Sequence, residues 1–241
     1  MEILNYFIFM MVLFLSNTVQ TITGFAGNML AMPFSIQVVD ISTAKCVLNV
    51  FSMIACVWIA FKNRKYIQWK IFAKMVSIML MGMIFSSLVL GNLSLDYLLV
   101  PYGIMIICIA LKKLFFKSDK ATVELPQWLA AIIIFCAGII HELFISGGSL
   151  LVIYAVTALP DKNKFRATVS CMWVVMDGML IFEHFYMGYY TSINLILIAL
   201  SVIPLVLSIA AGNWLYKKID QQTFLKITYT LLLVAGIVVF L

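Results

Sequence analysis

Two short clusters hold most of the side chains in this chain that are equipped for chemistry. The first runs Thr21-Ile22-Thr23-Gly24-Phe25-Ala26-Gly27-Asn28, with Pro33 beyond it, and the second His141-Glu142-Leu143-Phe144-Ile145-Ser146-Gly147-Gly148-Ser149. Each sets glycines among hydroxyl and amide groups inside a long apolar run. If a helix starts at such a cluster within an apolar medium, its first N–H groups lack partners and carry partial positive charge. An anion can be held there without burying a cationic side chain. Gly24, Gly27, Gly147 and Gly148 would supply close backbone approach and positive φ, and Thr21, Thr23, Asn28, Ser146 and Ser149 further donors. The plainer alternatives are helix-to-helix packing for the glycines and bonds to their own helix carbonyls for Thr and Ser.

Outside the clusters the polar candidates are few. Asn49 follows Lys45 by four residues and Ser170 follows Arg166 by four, which puts each pair on one helix face. Asn49 and Ser170 are read as lining the same cavity, Lys45 and Arg166 as topology or headgroup anchors. His141, Glu142 and Asp177 are ionisable groups in apolar segments, where such residues are costly and carry functional hypotheses. A proton relay through Glu142 or Asp177 competes with a structural hydrogen bond, and His141 with a packed neutral imidazole. Glu183-His184 is placed at the membrane interface beside Tyr186, Tyr189 and Tyr190.

Enzyme readings find little to stand on. His141-Glu142 opens like a zinc-protease HExxH but lacks the second histidine, and the chain has only two. A serine dyad of His141 with Ser146 or Ser149 would have to reach across the glycine break. The five cysteines have no metal spacing and read as packing residues. No nucleotide-binding motif is present. No catalytic residue, metal or cofactor is assigned.

The elements that position these clusters follow from composition. The chain has 241 residues, 64% hydrophobic and 11% charged, with mean hydropathy +1.10. Soluble domains carry roughly 25% charged residues, so a soluble enzyme or nucleic-acid-binding domain is excluded. The net charge of +6 sits between apolar runs and reads as topology rather than a polyanion surface. There is no basic n-region before Lys45, so no cleavable signal is expected. Spans are predicted near Cys46–Phe61, Met75–Leu90, Tyr97–Leu111, Ala167–Phe182, Ile193–Tyr216 and Phe224–Leu241. The stretches Ile3–Val39 and Leu125–Pro160 are too long for one helix and too short for two full spans. Each is read as a hairpin turning inside the membrane.

Basic loops around Lys62–Lys74, Lys112–Lys120, Lys162–Arg166 and Lys217–Lys226 set the direction. With all four cytoplasmic, the single spans alternate correctly and only Lys45 falls outside. The predicted fold is therefore an all-α polytopic membrane protein of two inverted repeats, each an interrupted membrane hairpin followed by three transmembrane helices. The repeats are residues 1–114 and 125–241, joined by a cytoplasmic linker at 115–124, with both termini outside. The competing fold is an ordinary bundle of eight helices.

At Thr23-Gly24-Phe25-Ala26-Gly27-Asn28-Met29-Leu30-Ala31-Met32-Pro33 the sequence resembles the sulfite exporter TauE/SafE family of bacterial permeases. The resemblance recurs at Leu143–Tyr154 and at Phe165-Arg166-Ala167-Thr168. Asn28 and Ser149 stand where that family commonly has glycine, or proline in the second case. The resemblance implies a multi-pass protein of the bacterial cytoplasmic membrane that transports small anions, mostly sulfite, sulfonates or related organosulfur compounds. Small carboxylates are the alternative cargo, and a non-transporting adaptor or sensor the alternative function. The expected partners are the anion, the bilayer and a coupling proton or sodium ion, with no nucleic acid; the oligomeric state is left open.

Overall fold

The computed structural model describes residues 2–90, 126–145 and 147–238, with 104, 107, 108 and 111. Most of the predicted span Tyr97–Leu111, the 115–124 linker and Ser146 lie outside the described residues. Among the described residues every regular element is helical. The first half contains α1 (Glu2–Thr23), α2 (Gly27–Ser35), α3 (Ile41–Lys62) and α4 (Trp69–Phe85), the last widening into a π turn at Ser86–Leu90. The second contains α5 (Gln127–Phe144), α6 (Gly148–Ala158) and α7 (Lys162–Tyr186). It continues with α8 (Ser192–Leu200), α9 (Val202–Lys218) and α10 (Gln221–Val238).

Local chemistry sets the boundaries. Both long central helices begin on an aspartate that accepts first-turn amides: Asp40 from Thr43 N–H, and Asp161 from Asn163 and Lys164 N–H, all at 2.9 Å. Thr191 and Asp220 open α8 and α10 in the same way. The predicted span Ile193–Tyr216 is bent by 42° between α8 and α9. Pro204 lacks the N–H that would bond the Leu200 carbonyl, and its ring crowds that carbonyl.

Leu4–Thr23, Ile41–Lys62, Trp69–Val89 and Lys162–Tyr186 are long and apolar enough to cross a membrane, and α8 with α9 makes a fifth candidate. Their outward faces carry Phe7, Met11 and Leu15 on α1, Ile54 and Trp58 on α3, and Ile196, Ile203 and Leu207 on α8–α9. Water would penalise such continuous apolar surface, whereas lipid tails match it. The first hairpin differs from expectation in one respect. Its break at Gly24–Ala26 falls near the middle of the stretch, but the helix before it has 22 residues, so α1 alone is long enough to cross.

Packing gathers the two halves around α3 and α7, which lie against each other. α1 packs on α9, and α4 on α5, so each half lends a helix to the other. These two crossings are close because they run over glycine. A Cβ on Gly82 would stand 2.1 Å from the Phe135 carbonyl oxygen, and one on Gly138 2.1 Å from that of Met79. A Cβ on Gly212 would stand 2.5 Å from Thr21 Cβ. Small residues at membrane helix contacts permit this approach. Gly138→Ala is accordingly expected to destabilise the protein by about 3 kcal/mol, the upper part of the overpacking range. Gly178→Ala, with nothing within 4 Å, should leave the melting temperature in detergent equal or slightly higher, since alanine is the better helix former.

Candidate functional site

The chain breaks after α1 because several groups cooperate to satisfy the backbone there. Gly24 adopts φ +85°, a left-handed conformation suited to glycine, and its N–H closes on the Gln20 carbonyl at 2.7 Å. Thr23 Oγ1 donates to the Val19 carbonyl at 2.9 Å and accepts the Phe25 and Ala26 amides. The Gly27 N–H, first in α2, donates to Gln20 Oε1 at 2.7 Å. The Gln20 amide nitrogen in turn donates to Ser52 Oγ and Cys56 Sγ on α3. The α1 C-terminus is also capped by a cation. Arg166 Nε donates to the Thr21 carbonyl at 2.7 Å, its Nη2 to Asn213 Oδ1 at 2.7 Å, and its guanidinium lies over the Tyr216 ring at 4.1 Å. Positive charge at that end of a helix is favourable. Arg166 is thus buried inside the bundle, and its reading as a headgroup anchor is corrected.

The second break is built differently. Ile145 takes the left-handed conformation, φ 52°, and its N–H closes on the His141 carbonyl at 2.8 Å. Gly147 has ordinary φ and Gly27 and Gly148 show no positive φ, so the expectation that all four cluster glycines supply positive φ holds at Gly24 alone. The other three are glycine because of what lies beside them. A Cβ on Gly27 would meet Gln20 Cβ at 2.6 Å, one on Gly147 the Ala137 carbonyl at 2.2 Å, and one on Gly148 the Phe25 carbonyl at 2.9 Å. The last contact joins the two breaks: Phe25, from the first, lies on the opening of α6.

Where the breaks meet, Gln20, Phe25, Asn28, Ser52, His141, Ile145, Gly148, Trp173 and Asp177 surround one void of about 10 Å³, room for a single water. Around it, buried polar atoms stand without hydrogen-bond partners. His141 Nε2 is 3.3 Å from Asp177 Oδ1, an ion-pair distance, but neither ring nitrogen and neither carboxylate oxygen makes a hydrogen bond. The His141 ring lies 4.8 Å from the Trp173 ring, whose Nε1 is also unpaired. Asn49 donates to the Asp177 carbonyl at 3.1 Å while its Oδ1 is left over, and Thr21 Oγ1 is fully buried and unpaired. Such groups are normally satisfied, so a cluster of them needs a reason.

Glu142, the other predicted coupling residue, faces away from this void. With Lys45, Ser86, Ser87, Glu183, His184 and Tyr189 it lines a separate cavity of about 170 Å³. The carboxyls of Glu142 and Glu183 thus share this cavity with the Lys45 side chain. His184 is 3% exposed, with its ring stacked on Tyr189, two residues before the C-terminal end of α7. Lys45 also belongs to this cavity rather than serving as a plain headgroup anchor. A larger cavity, about 360 Å³, lies at the rim among Tyr6, Asp40, Thr43 and Asn194, and none of the cluster residues lines it.

A family profile described as "Sulfite exporter TauE/SafE" matches residues 9–239, nearly the whole chain. The chain belongs to the TauE/SafE family. Neither the search of curated proteins nor that of solved structures gave a match. Membership makes this an integral membrane protein of a permease family, in keeping with its long apolar helices.

In this TauE/SafE protein the predicted residues divide into groups. Asn28, Gly148 and Asp177 line the central void, Asn49 bonds the Asp177 carbonyl beside it, and Ser149 is buried in the first turn of α6. Thr23, Gly24 and Gly27 are committed to the first break itself, and Gly147 to packing at the second. Ser170 is buried with its hydroxyl against Gly24, and Thr21 lies at the crossing of α1 and α9. The motif Phe165–Thr168 is a clamp: Phe165 packs edge-on against Phe25, Arg166 caps α1, and Thr168 accepts the Gln68 N–H. Gln20, Ser52 and Trp173 escaped the sequence reading. Their signal was spacing, since Ser16, Gln20 and Thr23 share one face of α1, and Asn49, Ser52 and Cys56 one face of α3.

These contacts separate structural from spare polar groups. Arg166→Lys, which loses the fork to Thr21 and Asn213, is expected to cost about 2–3 kcal/mol, the range for hydrogen bonds to charged groups. Thr21→Val removes a buried hydroxyl without a partner and is expected to leave thermal stability equal or higher. Both are checked by thermal unfolding in detergent.

Proposed function

We propose that this protein is a secondary transporter of small anions, with sulfite, sulfonates or related organosulfur oxyanions as cargo, in the bacterial cytoplasmic membrane. The carrying observation is the set of unpaired buried polar groups where the two helix breaks meet, in a chain of the TauE/SafE family. The Trp173 indole N–H and the His141 ring are aimed donors of the kind that hold an oxyanion, and Asn28 stands in the first turn of α2, where the helix dipole adds positive potential. Small carboxylates satisfy the same donors and are the second cargo.

The two halves act as inverted repeats that expose the site alternately to each side. Supporting this are the matching order of elements and the exchanged packing of α1 on α9 and α4 on α5. The basic loops add the same orientation, with both termini outside. A void of about 10 Å³ is too small for an oxyanion. Loading therefore requires the helices around it to part, and the amide donors held by Gln20 and Thr23 become available only when those side chains move.

Uptake of radiolabelled sulfite, an alkylsulfonate and a small carboxylate into proteoliposomes tests the reading, compared between wild type and Trp173→Phe. Saturable flux of at least one anion is expected, with half-saturation in Trp173→Phe raised about tenfold by loss of a single donor to a charged ligand. Substitution at Gly147 is unsuitable, because any side chain there collides with the Ala137 carbonyl. No flux of any of the three anions under any imposed gradient would overturn the proposal.

A further inference from the structure

The central site holds a buried carboxyl with no lysine or arginine beside it. Asp177 is 1% exposed, and the void beside it is lined by Gln20, Asn28, Ser52, Trp173 and His141, with no lysine or arginine. Other charged or titratable groups on the packed helices are occupied elsewhere. On α7, Arg166 lies about 16 Å away along the axis, bonded to Thr21 and Asn213. Glu183 and His184 lie roughly 9–10 Å in the other direction, in the cavity that also takes Lys45 from α3 and Glu142 from α5. Cys56 on α3 is engaged by Gln20, and Tyr216 on α9 lies under Arg166. The titratable partner within contact of Asp177 is His141.

An anion entering beside an ionised Asp177 would place two like charges in one poorly solvated space, where their repulsion is weakly screened. Protonation of His141 removes the conflict. An imidazolium donates from both ring nitrogens, and Nε2 already faces Asp177 while Nδ1 is buried without a partner. One donor can hold the carboxylate and the other an anion oxygen.

We infer that the His141–Asp177 pair is a proton-binding site and that the anion binds together with one proton taken up by this pair. The inference rests on the central void being the anion site. Proton and anion then travel as one load, and the pair, rather than Glu142 in the neighbouring cavity, links transport to a pH gradient. Because the two groups touch, the proton belongs to the pair as a unit.

The test is calorimetric titration of the full-length protein in detergent with methanesulfonate, which stays a monoanion from about pH 5 to 8 by the general acidity of sulfonic acids. Runs in buffers of different ionisation enthalpy count the protons taken up. Wild type is expected to bind about tenfold more tightly for each unit fall in pH over the titrating range, with about one proton per anion. Asp177→Asn, which leaves His141 without the carboxylate that favours its imidazolium, should bind with reduced proton uptake and a weaker pH dependence. His141→Gln moves the proton onto Asp177 itself and should shift the dependence at least one unit toward acid, which keeps the test open if Asp177→Asn does not fold. Glu142→Gln should behave as wild type. Methanesulfonate binding that ignores pH in wild type, or persists with full proton uptake in Asp177→Asn, overturns the inference and leaves the anion site standing. Loss of the linkage in Glu142→Gln overturns it as well. Absence of binding at every pH, together with no proteoliposome flux, overturns the anion reading and this inference with it.

Discussion

A backbone interrupted inside an apolar medium must find partners for every freed N–H and C=O, and much of this structure follows from that requirement. At the first break the chain meets it with side chains of α1 itself and of the distant α7. Gln20 and Thr23 take the amides of Phe25, Ala26 and Gly27, while Arg166 takes the last-turn carbonyl of Thr21. Each of these brings further obligations. Gln20 must be held at its nitrogen by Ser52 and Cys56, which fixes α1 against α3. A buried guanidinium needs its own acceptors and a ring to lie on, which fixes α7 against α9 through Asn213 and Tyr216. One interruption thereby sets the relative placement of four helices.

The second break has less polar support and depends on shape. Its left-handed residue is Ile145, a β-branched residue in a conformation such residues rarely adopt. It is buried, and the surrounding packing of α5 and α6 holds it there. Gly147 and Gly148 permit that packing, one against α5 and the other against Phe25 of the first break. The two breaks therefore lean on one another. The polar groups trapped between them, on α5 and α7, have few local partners because the hydrogen-bonding side chains nearby are already committed to the first break.

The sequence made the helices, the two breaks and the family legible for identifiable reasons. Uncharged runs give the helices, Asp40 and Asp161 give the starts of α3 and α7, and the glycine clusters mark the breaks. The role of each cluster residue was not legible, because spacing within a cluster does not say what lies opposite. Gly24 and Gly147 look equivalent, yet one is glycine for its φ and the other for the Ala137 carbonyl beside it. Arg166 looked like one more member of a basic loop until the carbonyl it caps came into view. A longer pattern was present in α7, where Arg166, Ser170, Trp173, Asp177, Leu180 and His184 recur at alternating steps of four and three. All six are buried, forming one continuous stripe. Reading that stripe whole places Trp173 beside Asp177 and His184 on the buried side of α7.

The same stripe shows how structure and transport divide the labour along one helix. Its Lys162 end is fixed, since Arg166 ties α7 to α1 and α9 by charge-assisted hydrogen bonds that are expensive to break. Its middle joins α3 through a single neutral bond from Asn49 to the Asp177 carbonyl. The crossings of α4 on α5 and α1 on α9 run over backbone at glycine, and such contacts do not slide without collision. Beside the central void, the α3–α7 seam thus combines close packing with one neutral hydrogen bond. On the transport reading, an oxyanion is admitted by movement at the void itself while Arg166 and the glycine crossings stay closed. On the same reading Asp177, the carboxyl proposed to share a proton with His141, is also the residue whose carbonyl ties α7 to Asn49 of α3, so proton binding and movement at the void act on one position of one helix.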